Sequence, residues 1–276
     1  MQIIHNKESL INKIREYKSQ GKKITLIPTM GNLHQGHQVL FSKAPHNTIK
    51  VVTIYVNPLQ FDSDDDYQNY PKGLKTDLEV CMQNNITLVY APKGDISNDI
   101  VIEENIDLPK FTRYLCGQKR EGHFLGVYKI VKYLFNIVNP DFACFGKKDF
   151  QQLLLIKYIA NTYFPGINII DVDTVRDTNN IALSSRLTRL SKESLSSTIR
   201  IYETLNSIKS ELLKGSSFVK LKERSVDYLE ANNIHVEYLD LRSLITLEEA
   251  SDKLKSCGIF IACYVDDVRL IDNIEI

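Results

Sequence analysis

The segment that most constrains this chain is Pro28-Thr-Met-Gly-Asn-Leu-His-Gln-Gly-His37, which follows the apolar run Ile24-Thr-Leu-Ile27. Residues 23–29 read as a buried strand, and a helical pattern starts at about residue 36 and continues through Gln38-Val-Leu-Phe41. A strand that turns into a helix leaves free backbone N–H groups at the positive end of the helix dipole, which favours phosphate. Gly31 and Gly36 lack a Cβ and let a nucleotide approach the backbone closely. His34 and His37 flank Gly36 and could stabilise charge or give up a proton. A zinc half-site is the competing chemistry, but zinc needs a third protein ligand. The segment has no cysteine, and the next carboxylates downstream come after residue 60. On its own the segment leaves a phosphate site and a structural turn both open.

A chain of 276 residues suits one large domain or two modest ones. Its 34 basic and 34 acidic side chains cancel, which argues against a broad nucleic-acid or membrane footprint. No apolar stretch approaches a membrane span, and the N-terminus lacks the basic and apolar pattern of an export signal. Cys81, Cys116, Cys144, Cys257 and Cys263 show no C-x-x-C spacing, so free thiols in a reducing, cytoplasmic compartment are expected. Cys144, within Phe142-Ala-Cys-Phe145, reads as buried packing.

Strands and helices alternate through the first part of the chain. A helix over 7–19 precedes the strand at 23–29, and a strand at 49–56 ends at Pro58. A polar loop over 62–68 leads to a helix at 74–84 and a strand at 87–90. Residues 91–122 read as loops with short strands. Then come a strong helix at 123–138, a strand at 141–145, a helix at 151–162 and a strand at 167–172. This order predicts a parallel sheet covered on both faces, with ligands beyond the carboxyl ends of its strands. From Ser191 the pattern changes to a long helix up to 214, a helix over 219–232, and strands at 234–241 and 258–264. These form a smaller α/β unit, with the junction near residues 176–190 and the two domains taken as 1–178 and 179–276.

Three further segments carry polar groups where strands end. In Val56-Asn-Pro-Leu-Gln-Phe61, Gln60 suits a small hydroxy acid or simply faces water. In Cys144-Phe-Gly-Lys-Lys-Asp-Phe-Gln-Gln152, Gly146 permits a tight turn and Lys147 and Lys148 bring charge. Asp149 is either a helix N-cap or a Mg²⁺ ligand, with Lys148 on a phosphate. Ser184, Ser185 and Arg186 could wrap a triphosphate or form an ordinary polar loop. No G-x-x-x-x-G-K-[ST] loop is present, which disfavours the P-loop class.

Together with Tyr67-Gln-Asn-Tyr-Pro71, His123-Phe-Leu-Gly-Val127, Leu183-Ser-Ser-Arg186 and Arg269-Leu-Ile-Asp-Asn273, these segments closely resemble the pantoate–β-alanine ligases, in order and approximate spacing. The resemblance implies a Rossmann-like nucleotidyltransferase domain with a parallel sheet, a smaller α/β C-terminal domain and a homodimer. It implies ATP-dependent joining of pantoate to β-alanine through an adenylate, with Mg²⁺ nearby. Met30, Gly31, Asn32, Leu33, His34, Gln35, Gly36 and His37 would line ATP, with His37 as proton donor. Gly146, Lys147, Lys148, Asp149, Val175, Leu183, Ser184, Ser185 and Arg186 would contact the same nucleotide. His34, His37, Lys148 and Arg186 would carry the chemistry, Gln60 and Gln152 would hold pantoate, and Gln60 would also approach β-alanine. Residues 62–72 and 112–122 are the candidate closing loops.

The chain departs from the family pattern in several places. Lys147 replaces Glu, Phe150 replaces Tyr, Thr178-Asn-Asn180 replaces an Ala-Asp-Gly-like stretch, and Leu183 and Leu187 replace Met and Asn. A Leu-Asn-Gly-Ser-Gly-like turn is missing around 250–256. The nearest rival reading is a nucleotidyltransferase of the same superfamily that leaves the nucleotide on another small substrate.

Overall fold

The computed structural model describes residues 1–94, 96–100, 106–250 and 255–276. Its first half alternates as β1 (Gln2–Ile4), α1 (Lys7–Ser19), β2 (Ile24–Thr29), α2 (Gln35–Lys43) and β3 (Ile49–Ile54). It continues with α3 (Asp64–Gln68), α4 (Leu74–Gln83), β4 (Leu88–Tyr90), α5 (Cys116–Lys119) and α6 (His123–Val138). Then follow β5 (Phe142–Gly146), α7 (Phe150–Tyr163) and β6 (Asn168–Val172). The six strands form one parallel sheet in the order β1-β4-β3-β2-β5-β6.

Period-two alternation divides the apolar strand residues between two cores. Leu26, Val51, Leu88 and Ala143 face α1, α6 and α7. Their neighbours Ile27, Val52, Val89 and Cys144 face Phe41 of α2 and Cys81 of α4. Such double coverage is why these strands read as continuous apolar runs.

The strand order reverses beside β2, and here the sheet forks. β2 pairs with β3 from Ile24↔Ile49 to Thr29↔Ile54, but with β5 only at Thr25↔Phe142 and Leu26↔Ala143. Beyond Leu26 the two strands part, while β5 continues beside β6 as far as Gly146↔Val172. The crevice at such a switch point is where open α/β sheets take ligands.

The second half contains α8 (Lys192–Ser197), α9 (Ile199–Leu213), α10 (Phe218–Glu230), β7 (Ile234–Ser243), β8 (Cys257–Val265) and β9 (Val268–Glu275). β7, β8 and β9 make an antiparallel sheet, against which Leu205 and Ile208 of α9 and Leu229 of α10 are buried. The helix expected up to residue 214 is two helices, because the Thr198 N–H closes a tight turn onto the Leu195 carbonyl. β1 and β9 are strands beyond those expected. In place of short strands, the described part of 91–122 holds helical turns at Ser97–Asp99 and Lys110–Arg113 and the helix α5. Residues 95 and 101–105 of that stretch, and 251–254 of the 250–256 turn, lie outside the described residues. Among the described residues no helix is long and apolar enough to cross a membrane.

Candidate active site

The loop after β2 is wrapped around a buried carboxylate. Thr29 donates its hydroxyl to the Thr53 carbonyl at 2.7 Å and accepts from the Gly31 N–H at 3.2 Å. Gly31 then adopts φ +81°, a conformation that suits glycine, and a Cβ there would lie 2.9 Å from Asp77 Oδ2. Asp77, on the first turn of α4 and only 2% exposed, accepts from Asn32 N at 3.0 Å and Leu33 N at 2.7 Å. Sequence reasoning missed Asp77, because an aspartate in a helix's first turn is ordinary.

His34 and His37 begin α2 as a reciprocal cap. The Gly36 N–H donates to His34 Nδ1 at 3.1 Å, and the His34 N–H donates to His37 Nδ1 at 3.2 Å. Both Nδ1 atoms are acceptors, so each neutral ring carries its proton on Nε2. Burial, reinforced by the Lys148 ammonium, lowers His34 to about 4. Burial, then His34 and Lys148, lower His37 to about 3. Near neutral pH the pair therefore presents two uncharged N–H donors.

The opposite wall starts where β5 ends. A tight turn, Lys147–Asp149, carries Lys148 to within 3.4 Å of Asp149. Asp149 occupies the N-cap position of α7 but makes no side-chain cap bond, so the capping role considered above is not the one it plays. Burial works against its charge, yet Lys148, Arg186 and His123 hold its carboxyl below the usual range. Lys147 points elsewhere, to Asp173 at 2.9 Å and Glu275 at 3.2 Å.

Two distant loops close the top. Ser185 Oγ donates to the Asn32 carbonyl at 3.0 Å, and Asn32 Nδ2 donates back to the Ser185 carbonyl at 3.1 Å. Arg186 is paired with Asp66 of α3 at 2.7 Å. The two candidate closing segments are also tied to each other, through Arg120 and Asp62 at 2.7 Å.

The third side is built from amides and His123. Gln60 Nε2 lies 3.0 Å from Met30 Sδ, and Asn57 Nδ2 donates to Gln60 Oε1 at 3.1 Å and to the Gly126 carbonyl at 3.2 Å. His123 Nδ1 lies 2.6 Å from the Gln60 carbonyl, which can only accept, so this ring has the opposite tautomer from the other two. Burial beside Arg120 lowers His123 to about 4. Gln151 and Gln152 both border the site, but the Gln151 carboxamide is taken up by Cys116 N and by the Phe111 and Tyr114 carbonyls.

One cavity of about 290 Å³ collects these groups. Met30, His34, Gly36, His37, Gln60, Gly146, Lys148, Asp149 and Gln152 line it, as do Val175, Leu183, Ser184, Ser185 and Arg186. Gly31, Asn32, Leu33, Gln35 and Lys147 are not in its lining: the first three shape the loop around Asp77, Gln35 is exposed, and Lys147 is ion-paired to Asp173 and Glu275. Asn57, Tyr70, Arg120, His123, Arg269 and Asn273 also line the cavity, beyond the residues assigned from sequence. Cys144 is fully buried, and burial pushes its thiol up to about 12, as a packing role requires.

A parallel sheet with a cavity of about 290 Å³ at its switch point, in a chain that superposes on solved ligases, places the protein in the nucleotidyltransferase-like α/β class. Residues 2–275 match the family described as pantoate-beta-alanine ligase. The chain is 37% identical over 271 residues to the pantothenate synthetase of Aliivibrio fischeri, covering 97% of this chain and 93% of that one. It is 37% identical over 279 residues to that of Neisseria meningitidis serogroup A, covering 100% and 99%. The crystal structure of pantothenate synthetase from Thermus thermophilus superposes with a TM-score of 0.90 at 30% identity, over 100% of this chain and 99% of that one. Pantoate-beta-alanine ligase from Francisella tularensis, complexed with beta-gamma ATP and beta-alanine, gives 0.83 at 30% identity, over 100% and 97%. The chain belongs to the pantoate-beta-alanine ligase family and is an ATP-dependent ligase.

Proposed function

We propose that this chain performs its family's ligation in two steps within the cavity, joining pantoate to β-alanine to give pantothenate. A pantoate carboxylate oxygen attacks the α-phosphorus of ATP, and the bond from that phosphorus to the pyrophosphate oxygen breaks. The β-alanine amine then attacks the acyl carbon of the adenylate, AMP leaves with the acyl C–O electrons, and the nitrogen loses a proton. The observation that carries this reading is the meeting of His34, His37, Lys148, Arg186, Gln60 and Gln152 around one hollow.

In this reading the Nε2–H groups of His34 and His37 and the Lys148 ammonium meet charge moving onto pyrophosphate. The proton-donor role of His37 becomes hydrogen-bond donation from a neutral ring, since its Nδ1 is held by backbone. Gln60 and Gln152 hold pantoate, and Gln60 stands near β-alanine. Ser184, Ser185, Val175 and Leu183 border the nucleotide, and α3 with the 112–122 segment keeps water from the adenylate.

The donor set also fits Mg²⁺. Among the described residues no three metal-ligating side chains cluster; Asp149 brings a charged carboxylate to the cavity, while Asp173 and Asp272, which also line it, are ion-paired to Lys147 and Arg176. That is the pattern of a cation held by one carboxylate and the phosphates of the nucleotide. Asp149 would hold the Mg²⁺, which when bound offsets triphosphate charge. A homodimer, a cytoplasmic location consistent with five free cysteines, and domains at 1–178 and 179–276 belong to the same reading.

The test is to supply ATP, Mg²⁺ and pantoate, then β-alanine, and identify products by mass. AMP and pantothenate are expected; a nucleotide retained on the product would instead mark the rival transferase chemistry. His37→Ala and Lys148→Ala should each slow pantoate-dependent ATP–pyrophosphate exchange about 100-fold or more. Near-normal exchange in both would refute the assignment.

A further inference from the structure

The turn that carries Lys148 is held from the C-terminal sheet by one buried carboxamide. We propose that Asn273 of β9 is a positioning residue that sets where the Lys148 ammonium stands, an inference that rests on the phosphate role proposed for Lys148. Asn273 is 9% exposed, and its Nδ2 donates both hydrogens to consecutive carbonyls, Lys147 O at 3.0 Å and Lys148 O at 2.9 Å. Asn273 is itself fixed. Its N–H donates to Asp272 Oδ1 at 2.8 Å, and Asp272 takes Arg176 Nη1 and Nη2 at 2.7 and 2.8 Å. The Arg176 guanidinium in turn lies 3.7 Å from the centre of the Tyr202 ring.

A second restraint on the same turn is the pairing of Lys147 with Asp173 and Glu275. The two restraints differ in strength. Asp173 and Glu275 are well exposed, and ion pairs in water fix geometry weakly. Removing the buried carboxamide leaves two carbonyls without their donor. The turn would then rotate to find new partners, carrying Lys148 with it. Misplacing a charge-stabilising group by about 1 Å can cost about 100-fold in rate. A strand remote in sequence thus acts on the reaction through two backbone carbonyls.

The test is a double-mutant cycle on the full-length enzyme, read by pantoate-dependent ATP–pyrophosphate exchange. Asn273→Ala should lower the exchange kcat about 10- to 100-fold, with the KM for β-alanine in the full reaction unchanged. In the Lys148→Ala background the same substitution should cost less than about two-fold, because a residue acting through Lys148 has nothing left to position. Glu275→Gln should stay within about two-fold of the parent, as expected for an exposed ion pair. Equal losses from Asn273→Ala in both backgrounds, or no loss in the parent, would overturn the proposal. Near-normal exchange by Lys148→Ala itself would instead bring down the reading on which it rests. If Asn273→Ala does not fold, the uncharged and nearly isosteric Asn273→Leu takes its place in the cycle with the same expected outcomes.

Discussion

The carboxylate of Asp66 fills the donor fork of Arg186. Nη2 lies 2.7 Å from Oδ2 and Nε 3.4 Å from Oδ1, while Arg189 Nη1 reaches Oδ1 at 3.0 Å. Burial opposes the charge of Asp66, but these arginines outweigh it and hold its carboxyl below the ordinary range. The helix α3 is therefore pinned by the guanidinium that the proposed site offers to phosphate. A carboxylate and a phosphate compete for one fork of N–H donors.

Asp66→Asn removes that competitor. ATP should then bind about two- to five-fold tighter by calorimetry, in line with the worth of a partly exposed ion pair. The backbone amides of α3 should exchange with solvent faster in the free enzyme. Weaker ATP binding in this variant would mean that Asp66 aims Arg186 at the nucleotide rather than withholding it.

Three histidines, His123 buried and His34 and His37 partly so, make stability fall on the acid side. His34 and His123 are lowered to about 4 and His37 to about 3, from 6.5. Between 6.5 and those values the unfolded chain takes up protons that the folded chain refuses, so stability is full above 6.5 and is lost as pH falls. The slope is about 1.4 kcal/mol per pH unit for each group within its window. The denaturant midpoint should drop from about pH 7 to about pH 5, and less steeply in His123→Gln. A flat midpoint, with imidazole resonances titrating near the ordinary histidine value, would contradict the assignment.

Asp77 holds the histidine loop without entering the cavity lining. Asp77→Ala strands two backbone N–H groups and should destabilise the fold by about 3 kcal/mol, the size expected for hydrogen bonds to a buried charge. Asp77→Asn keeps the shape but loses one acceptor, and should lie between. Equilibrium unfolding reads both, and ATP KM should rise in the same order as His34 and His37 lose their placement.

Gly126 lets α6 touch the loop that carries Gln60. A Cβ there would fall 1.9 Å from the Leu59 carbonyl oxygen and 2.6 Å from Gln60 N. Gly126→Ala should cost about 1–3 kcal/mol by overpacking. It should also raise the KM for pantoate more than that for ATP, since Gln60 moves while Lys148 does not. Equal KM changes would place the strain elsewhere.

Much of the architecture is legible in the sequence because both faces of the first sheet are covered. Val51, Val52, Leu88 and Val89 are all apolar, and such runs separate cleanly from helical periodicity. The glycines, histidines and lysines of the site stand where strands end, so local pattern locates them. What escaped was held by distance. Asp77 and Asn273 act only on backbone of segments far away in the chain, and nothing local marks an aspartate or asparagine for that work. β9 sets Asp272 and Asn273 side by side among apolar residues because Asp272 holds Arg176 and Asn273 holds the turn at Lys147, and so it reads as motif rather than strand. Lys147 is assigned to the nucleotide by the family resemblance alone, and its side chain pairs with Asp173 and Glu275, two partners that no local pattern announces.

The parting of β2 and β5 after Leu26 has a mechanical consequence. The seam between the histidine loop and the lysine turn is bridged at its outer end by side chains and loops rather than by a ladder, so unzipping should begin there. A triphosphate gripped from both banks would act as a rivet across the split, resisting rupture while doing little to hasten assembly. Nucleotide should therefore lengthen the lifetime of the native state far more than it speeds refolding.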